Sequence, residues 1–380
     1  MKEGEQMDFS SQYMNNTDYK FGGYTYNSVM PMTLANITNQ YGTVTLGYNN
    51  QFNMLYNTLN TRRAELNQIV QNNLLNNPSY TGSRNAGVKL AWQYEKADIE
   101  MGGKGSVKWN FEERDQILNS KTGTVAGAEG HHQKNVVDHP EEQANPDNIK
   151  FYKSKQEHLQ KGHNGNFQNE SDGNFIAKNK MLKHTNNKRV LLNEIKGATI
   201  SAAIGIGVAM TISAIVELAS VGIESVDVSN IITHTMRAGI EAGTMASLSY
   251  CAGRITSVIL QKCGVDILSK AGMLMNYTAI GVVSIGLVSV IQFIKLSKNG
   301  LEAMDAFKEV GKSVFASTAI LAVSIIAQGI YGGCAGLIVS TSVGIVILTF
   351  NITKLTHQRK INTHIEEYVI EEHKPILIMG

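Results

Sequence analysis

The sequence predicts an α+β chain in two parts: a small mixed domain, then an all-α, Gly/Ala-rich bundle of transmembrane helices. Three observations predict it. Charged residues are 17% of the 380, yet no Lys, Arg, Asp or Glu occurs at 197–216, 272–294 or 313–353. Residues 84–196, by contrast, are densely charged. Five of the ten histidines lie between His131 and His163.

Composition excludes several classes. Five prolines and 35 glycines without period exclude collagen, and the long apolar runs exclude a chain disordered throughout. Cys251, Cys263 and Cys334 are scattered and form no CxxC pair, which argues against a disulfide framework and a cysteine zinc site. A net charge of +2 gives no global nucleic-acid signature, so charge is read locally. The N-terminus is polar and the first apolar run starts near residue 197, so no secretory signal peptide is expected. Export by a dedicated machine would leave no such signal.

Residues 1–83 form a polar, Asn- and Tyr-rich region in which mostly irregular structure is expected, with a short strand an option at 41–48. Within it, Phe52, Leu55, Leu59, Leu66, Ile69, Val70 and Leu74 recur at spacings of three and four. That spacing predicts an amphipathic helix over about 51–77, stopped by Asn76, Asn77 and Pro78 and docked on its own protein. Residues 79–86 read as a linker into a domain spanning 84–176. A basic linker at 177–196 is expected to be a membrane-proximal positive patch. The membrane region is 197–353, with a polar tail at 354–380.

The histidines of the mixed domain carry the chemistry. An adjacent pair, His131 and His132, follows Gly130; Asn148 follows in a Pro-Asp-Asn turn; His158 and His163 close the group. Metal-assisted phosphodiester hydrolysis needs converging imidazoles to hold a cation and a separate neutral imidazole to activate water. Neighbours in an extended segment point opposite ways, so one histidine of the pair can face the metal and the other the water. Lys153–Lys161 reads as a short helix with Gly162 just past its end. On an uninterrupted α-helix, residues five apart diverge by about 140°. The helix is therefore expected to stop at Gly162 so that His163 folds back beside His158.

From GVKLAWQYEK through GHH, NPDNI, EHL and GHNGNF, residues 87–176 resemble an HNH endonuclease of the ββα-metal type, most closely the GHH-signature group of bacterial toxin and defence nucleases. The resemblance covers about a quarter of the chain. It implies a ββα-metal fold that binds a divalent ion, Mg, Mn, Ni or Zn. It also implies that His131, His158 and His163 are metal ligands, His132 the general base and Asn148 the residue that orients it. The spacing of His158 and His163 is one residue longer than in the simplest form of the motif, which leaves Asn164 and Asn166 as alternative donors. Glu129 is a candidate partner behind the ligands. His139 reads as part of a His-Pro turn. Lys150, Lys153, Lys155 and Lys161 flank the site and are candidates for phosphate contacts without sequence specificity. Trp92 and Trp109 are expected to pack the domain core.

The apolar half contains stretches of 20, 23 and 41 residues without charge, enough for four crossings of a bilayer of about 30 Å. Small residues recur along them, as in packed membrane helices. Four crossings would put the basic stretches 178–196, 295–312 and 354–360 on one side, and the positive-inside rule makes that side the cytoplasm. The segment 217–271 would then be exposed on the other side, as amphipathic helices on the surface or packed in the bundle. The expected function is a membrane-tethered, metal-dependent endonuclease acting on DNA ahead of RNA. The alternatives are a secreted toxin and a non-enzymatic, pore-forming membrane protein whose histidine domain is a metal-stabilised binding unit. Expected partners are nucleic acid, a lipid bilayer and an inhibitory or immunity protein; oligomerisation is left open.

Overall fold

A computed structural model of the chain describes residues 23–169, 173–221, 227–332 and 335–377. The described elements are α1 (Gly23–Asn76), α2 (Arg84–Glu100), α3 (Phe111–Asn119), β1 (Glu129–His132), β2 (Ile149–Tyr152), α4 (Lys155–Glu157), α5 (Lys178–Val221), α6 (Val228–Lys262), α7 (Lys270–Lys298), α8 (Ala303–Tyr331) and α9 (Ala335–Leu377). They form two units: Val44–Asn193, and Met1–Thr43 with Glu194–Gly380.

In the unit Val44–Asn193, the apolar spacing that predicts a helix at 51–77 has the consequence expected. Leu59, Leu66 and Val70 of α1 are buried against Leu90, Tyr94 and Ala97 of α2 and Met101 just past its end, together with Leu182 of α5. The opposite face of α2 is buried too. Ala91, Trp92 and Ile99 pack on Trp109, Ile117 of α3, and Ile149 and Phe151 of β2. Trp92 lies with its ring centroid 4.0 Å from that of Phe151 and 5.6 Å from that of Trp109, so both tryptophans are core residues.

A helix buried on both faces must satisfy its polar residues internally. Glu95 is fully buried and accepts hydrogen bonds from the Ser106 backbone and hydroxyl and from Trp109 Nε1 (3.0 Å). Lys178 Nζ lies 3.5 Å from the same carboxylate. Asp98 accepts from Gly105 N (2.8 Å) and from Thr185 Oγ1. Burial raises the Asp98 pKa against the lowering effect of those two donors.

Three expectations are corrected here. The irregular region expected before residue 51 is helical from Gly23, and no strand forms at 41–48. Residues 23–48 hold few charges but many Asn and Thr, and their burial, seen at Met30, Leu34, Ala35 and Thr38, outweighs modest helix propensity. Residues 1–22 lie outside the described part. The stretch read as a basic linker is the start of α5, in which Lys178 is buried on Glu95 and Leu182 joins the core. Finally, the stretch read as a polar tail at 354–380 continues α9 as far as Leu377.

In the other unit, α5 to α9 follow one another as long helices. Four of them, at Lys178–Ser220, Lys270–Lys298, Ala303–Tyr331 and Ala335–Ile365, are long and apolar enough to cross a membrane. α8 ends at Gly332, whose φ of 69° favours glycine and reverses the chain between the last two spans. Small and polar side chains face inward, including Ser249, Ser257, Asn276, Ser284 and Ser317, while Val282, Phe315, Ile326, Ile338 and Ile345 are exposed. This inversion of the usual soluble pattern suits helices whose outer solvent is hydrocarbon.

Candidate metal centre

The site is built on a two-stranded antiparallel hairpin in which His131 pairs with Lys150 and His132 with Ile149. Alternation along β1 sends the two histidines to opposite faces. On the core face, Gly130 lies under α2: a Cβ there would meet Val88 Cγ1 at 2.9 Å, so the position before the histidine pair has no room for a side chain.

His131 points toward the turn that follows α4. Its Nδ1 lies 3.0 Å from His158 Nε2, and its ring centroid is 4.7 Å from that of His163. One ring nitrogen from each of His131, His158 and His163 falls within 4.8 Å of the others. Among the described residues, the buried Nδ1 of His163 has no hydrogen-bond partner. Glu129, two residues before His131 on the same face, places Oε2 2.7 Å from His158 Nδ1. The Tyr152 ring stacks on His158 at 5.5 Å.

The long spacing of the second pair has a local explanation. Residues His158–Gly162 form a π turn, closed by i→i+5 hydrogen bonds, and the chain leaves it at His163. The extra residue per turn brings positions five apart onto one face. The helical path therefore runs through Gly162 instead of stopping before it, which corrects the expected geometry while placing His163 beside His158. Gly162 is required by contact: a Cβ there would meet His158 Cδ2 at 2.9 Å and Tyr152 Cε2 at 3.1 Å. The reversal after His163 uses Asn164 (φ 47°) and Gly165 (φ 84°), and Asn166 Oδ1 accepts from Gln168 N.

His132 lies on the other face, 8% exposed, with Nε2 3.0 Å from the Gln143 carbonyl. A carbonyl only accepts, so Nε2 carries the hydrogen and Nδ1 the lone pair. Burial lowers the His132 pKa to about 4 despite that carbonyl, with Arg84 adding to the effect. Burial, then the charges of His163 and His158, lower that of His131 to about 3. His163 is lowered by burial and His158, against a backbone hydrogen bond at Asn169.

Asn148 is fully buried but works on the backbone. Its amide donates to the carbonyls of Lys134 (3.1 Å) and Glu142 (3.2 Å), and its Oδ1 accepts from Lys134 N (2.6 Å). It thus ties together the two ends of the loop between β1 and β2. Gln143, which sequence reasoning missed, holds the next position: its amide donates to Tyr80 O and Pro140 O, and its Oε1 accepts from Ser83 N, each at 2.7 Å. Arg63 of α1 was missed as well. It donates to Asp147 (3.1 Å) and Asn145 (2.9 Å), while Asp147 also accepts from Lys178 N (3.0 Å). No sequence signal marks a lone Gln in a charged loop or an Arg some eighty positions from its partners.

The flanking lysines divide. Lys153 is paired with Glu113 at 2.6 Å and Lys161 with Glu157 at 2.7 Å. Among the described residues, no ion pair involves Lys150 or Lys155; Lys150 lies 5.1 Å from the Tyr152 ring centre. His139 is half-exposed beside Glu141 and takes no part in the cluster.

An antiparallel hairpin whose histidine pair splits between a buried face and a returning helical turn, with two further imidazoles on that turn, defines a ββα-type site with a histidine triad able to hold a metal ion. Residues 79–153 match the family described as GHH signature containing HNH/Endo VII superfamily nuclease toxin. No curated protein matches the chain, and no solved structure does.

Proposed function

We propose that the chain is a membrane-anchored, metal-dependent endonuclease toxin that hydrolyses phosphodiester bonds of DNA with little sequence preference. The observation that carries this reading is the convergence of His131, His158 and His163 next to a separately held His132; the histidine pair itself lies in the segment 79–153 that matches nuclease toxins. The donor set fits a divalent ion: three imidazoles converge, one has a buried nitrogen that no described residue partners, and a carboxylate backs another. When bound, such an ion supplies Lewis-acid polarisation of a phosphate oxygen.

The protein's own groups do the rest. His132 Nδ1 takes a proton from the attacking water, whose oxygen forms the new bond to phosphorus. The bond from phosphorus to the sugar oxygen breaks, and that oxygen regains a proton from solvent. The Gln143 carbonyl fixes the ring and stabilises the imidazolium that forms. Asn148 acts one step back, holding the loop from which Gln143 presents its carbonyl. Lys150 and Lys155 contact phosphates without reading bases. The four apolar helices anchor the chain in a bilayer.

A plasmid-nicking assay on the full-length chain in detergent, with and without added Mg²⁺, Mn²⁺, Ni²⁺ or Zn²⁺, tests the reading. Metal-dependent cutting is expected, with RNA cut more slowly. His132→Ala should lose cutting, by roughly 10²–10⁴-fold, yet keep its metal. Equal cutting by the variant would remove His132 from its role.

A further inference from the structure

We propose that α6 is a fifth bilayer-crossing helix, so that the chain enters the membrane region before α5 and leaves it after α9 on opposite sides. The proposal rests on the membrane anchoring of the four apolar helices, and goes beyond it.

α6 is set between two of those helices and follows both. A Cβ on Gly239 would meet Met210 of α5, one on Gly243 would meet Ile206, and one on Gly205 would meet the Ala242 carbonyl. Further along, Gly197 of α5 lies against Tyr250. This descending register is antiparallel and runs alongside the uncharged part of α5. On the other side, Gly253 approaches Ile280 of α7 and Glu241 pairs with Lys295. Helices packed this closely along their apolar stretches share a solvent. α5 and α7 cannot enter hydrocarbon while α6, wedged along both, stays in water.

The outward face of α6 agrees. Ile232, Ile240, Leu248, Ile255 and Ile259 are exposed along α6, as Val282 and Val290 are along the neighbouring α7. The opposite side is Gly, Ala and Ser against its neighbours. Hydrocarbon is the occupant selected by an apolar outer face on a helix packed along two candidate spans.

Its charged residues set α6 apart from the apolar spans, yet all but the terminal Lys262 are paired. Arg254 pairs with Glu194 at 2.9 Å, Arg237 with Glu241 at 3.4 Å, Glu241 also with Lys295, and His234 with Glu217 at 3.4 Å. Pairing is the condition under which ionisable groups persist in membrane helices.

Five crossings between Glu194 and Lys354 form an odd number. The 178–196 stretch and the α6–α7 turn then share one side. The α7–α8 turn and the residues after 354 share the other. The three basic stretches no longer lie together, and the charge argument for a common cytoplasmic side falls away.

The test is topology mapping of the full-length chain in sealed membrane vesicles with a membrane-impermeant maleimide. One variant keeps Cys263 as its sole cysteine. Three others lack all native cysteines and carry Lys188→Cys, Lys298→Cys or Arg359→Cys. Cys263 and Lys188→Cys should label from one face, with loss of labelling from the other; Lys298→Cys and Arg359→Cys should show the reverse. Labelling of Lys188→Cys and Lys298→Cys from the same face overturns the proposal while leaving membrane anchoring intact. Release of the whole chain by alkaline carbonate overturns both. A spin label at Ile255→Cys provides a second measurement: faster relaxation by oxygen than by a water-soluble nickel chelate is expected, and the opposite order places that face in water. Neither measurement reads nuclease activity, so a failure here is separate from a failure of the catalytic reading.

Discussion

Glu129 Oε2 sits 2.7 Å from His158 Nδ1, and a carboxylate can only accept, so the hydrogen of that ring is held at Nδ1. Nε2 then carries the lone pair and faces His131 Nδ1. The carboxylate both selects the tautomer and orients the ring toward the centre of the triad.

Glu129→Gln should therefore weaken metal affinity by roughly 10–100-fold while leaving the fold unchanged. Competition with a zinc-responsive dye on the full-length chain measures this. Unchanged affinity would show that the turn alone orients His158.

The π turn makes a second prediction. Deleting Gln160 shortens the His158–His163 spacing to four, which an ordinary α turn presents on one face. Metal affinity should survive within about tenfold, whereas inserting one Ala after Gln160 should abolish binding. Loss in the deletion variant would mean that the π geometry itself is needed.

Glu113 caps α3, with Oε2 accepting from Asn110 N at 2.7 Å, and pairs with Lys153. Burial opposes its ionisation, but Lys153 and the Asn110 N–H outweigh burial and hold its carboxyl below the usual range. A depressed carboxylate contributes stability above its unfolded pKa, and that contribution is lost as pH falls through the folded value. Glu113→Gln keeps the cap, so it should cost no more than about 1 kcal/mol at pH 7 and less near pH 3. Releasing Lys153 should also tighten nucleic-acid binding and steepen its salt dependence. Equal costs at both pH values would exclude the ion pair as the source.

Lys178 and Glu95 are both fully buried. Lys178→Met leaves the Glu95 charge with its Ser106 and Trp109 donors but without a countercharge, and should cost about 3 kcal/mol. Adding Glu95→Gln should recover part of the loss. The chain's two tryptophans, Trp92 and Trp109, both lie in this core, so thermal unfolding followed by tryptophan fluorescence reports this unit alone.

Local periodicity and local chemistry were legible in the sequence. The apolar spacing at 51–77, the uncharged stretches and the histidine group each write their consequence within a few turns of chain. What was not legible depends on distant partners. Nothing near residue 23 announces a helix there, because its stability comes from burial that only the folded chain supplies. Lys178 looks like one more cation in a basic run until Glu95 is brought to it. Gln143 serves His132 through a backbone carbonyl, a role that any residue type could fill; its own side chain is spent on Ser83, Tyr80 and Pro140.

The turn at His158–Gly162 absorbs one surplus residue by local rewinding, and the imidazoles on either side of it still meet. Histidine geometry and histidine spacing are thus uncoupled in this site. A pattern written with a fixed gap would pass over this chain although its ring nitrogens still converge. A chain one residue shorter here would present the same two imidazoles through an ordinary α turn, so the missing letter by itself is no guide to whether the centre has been lost.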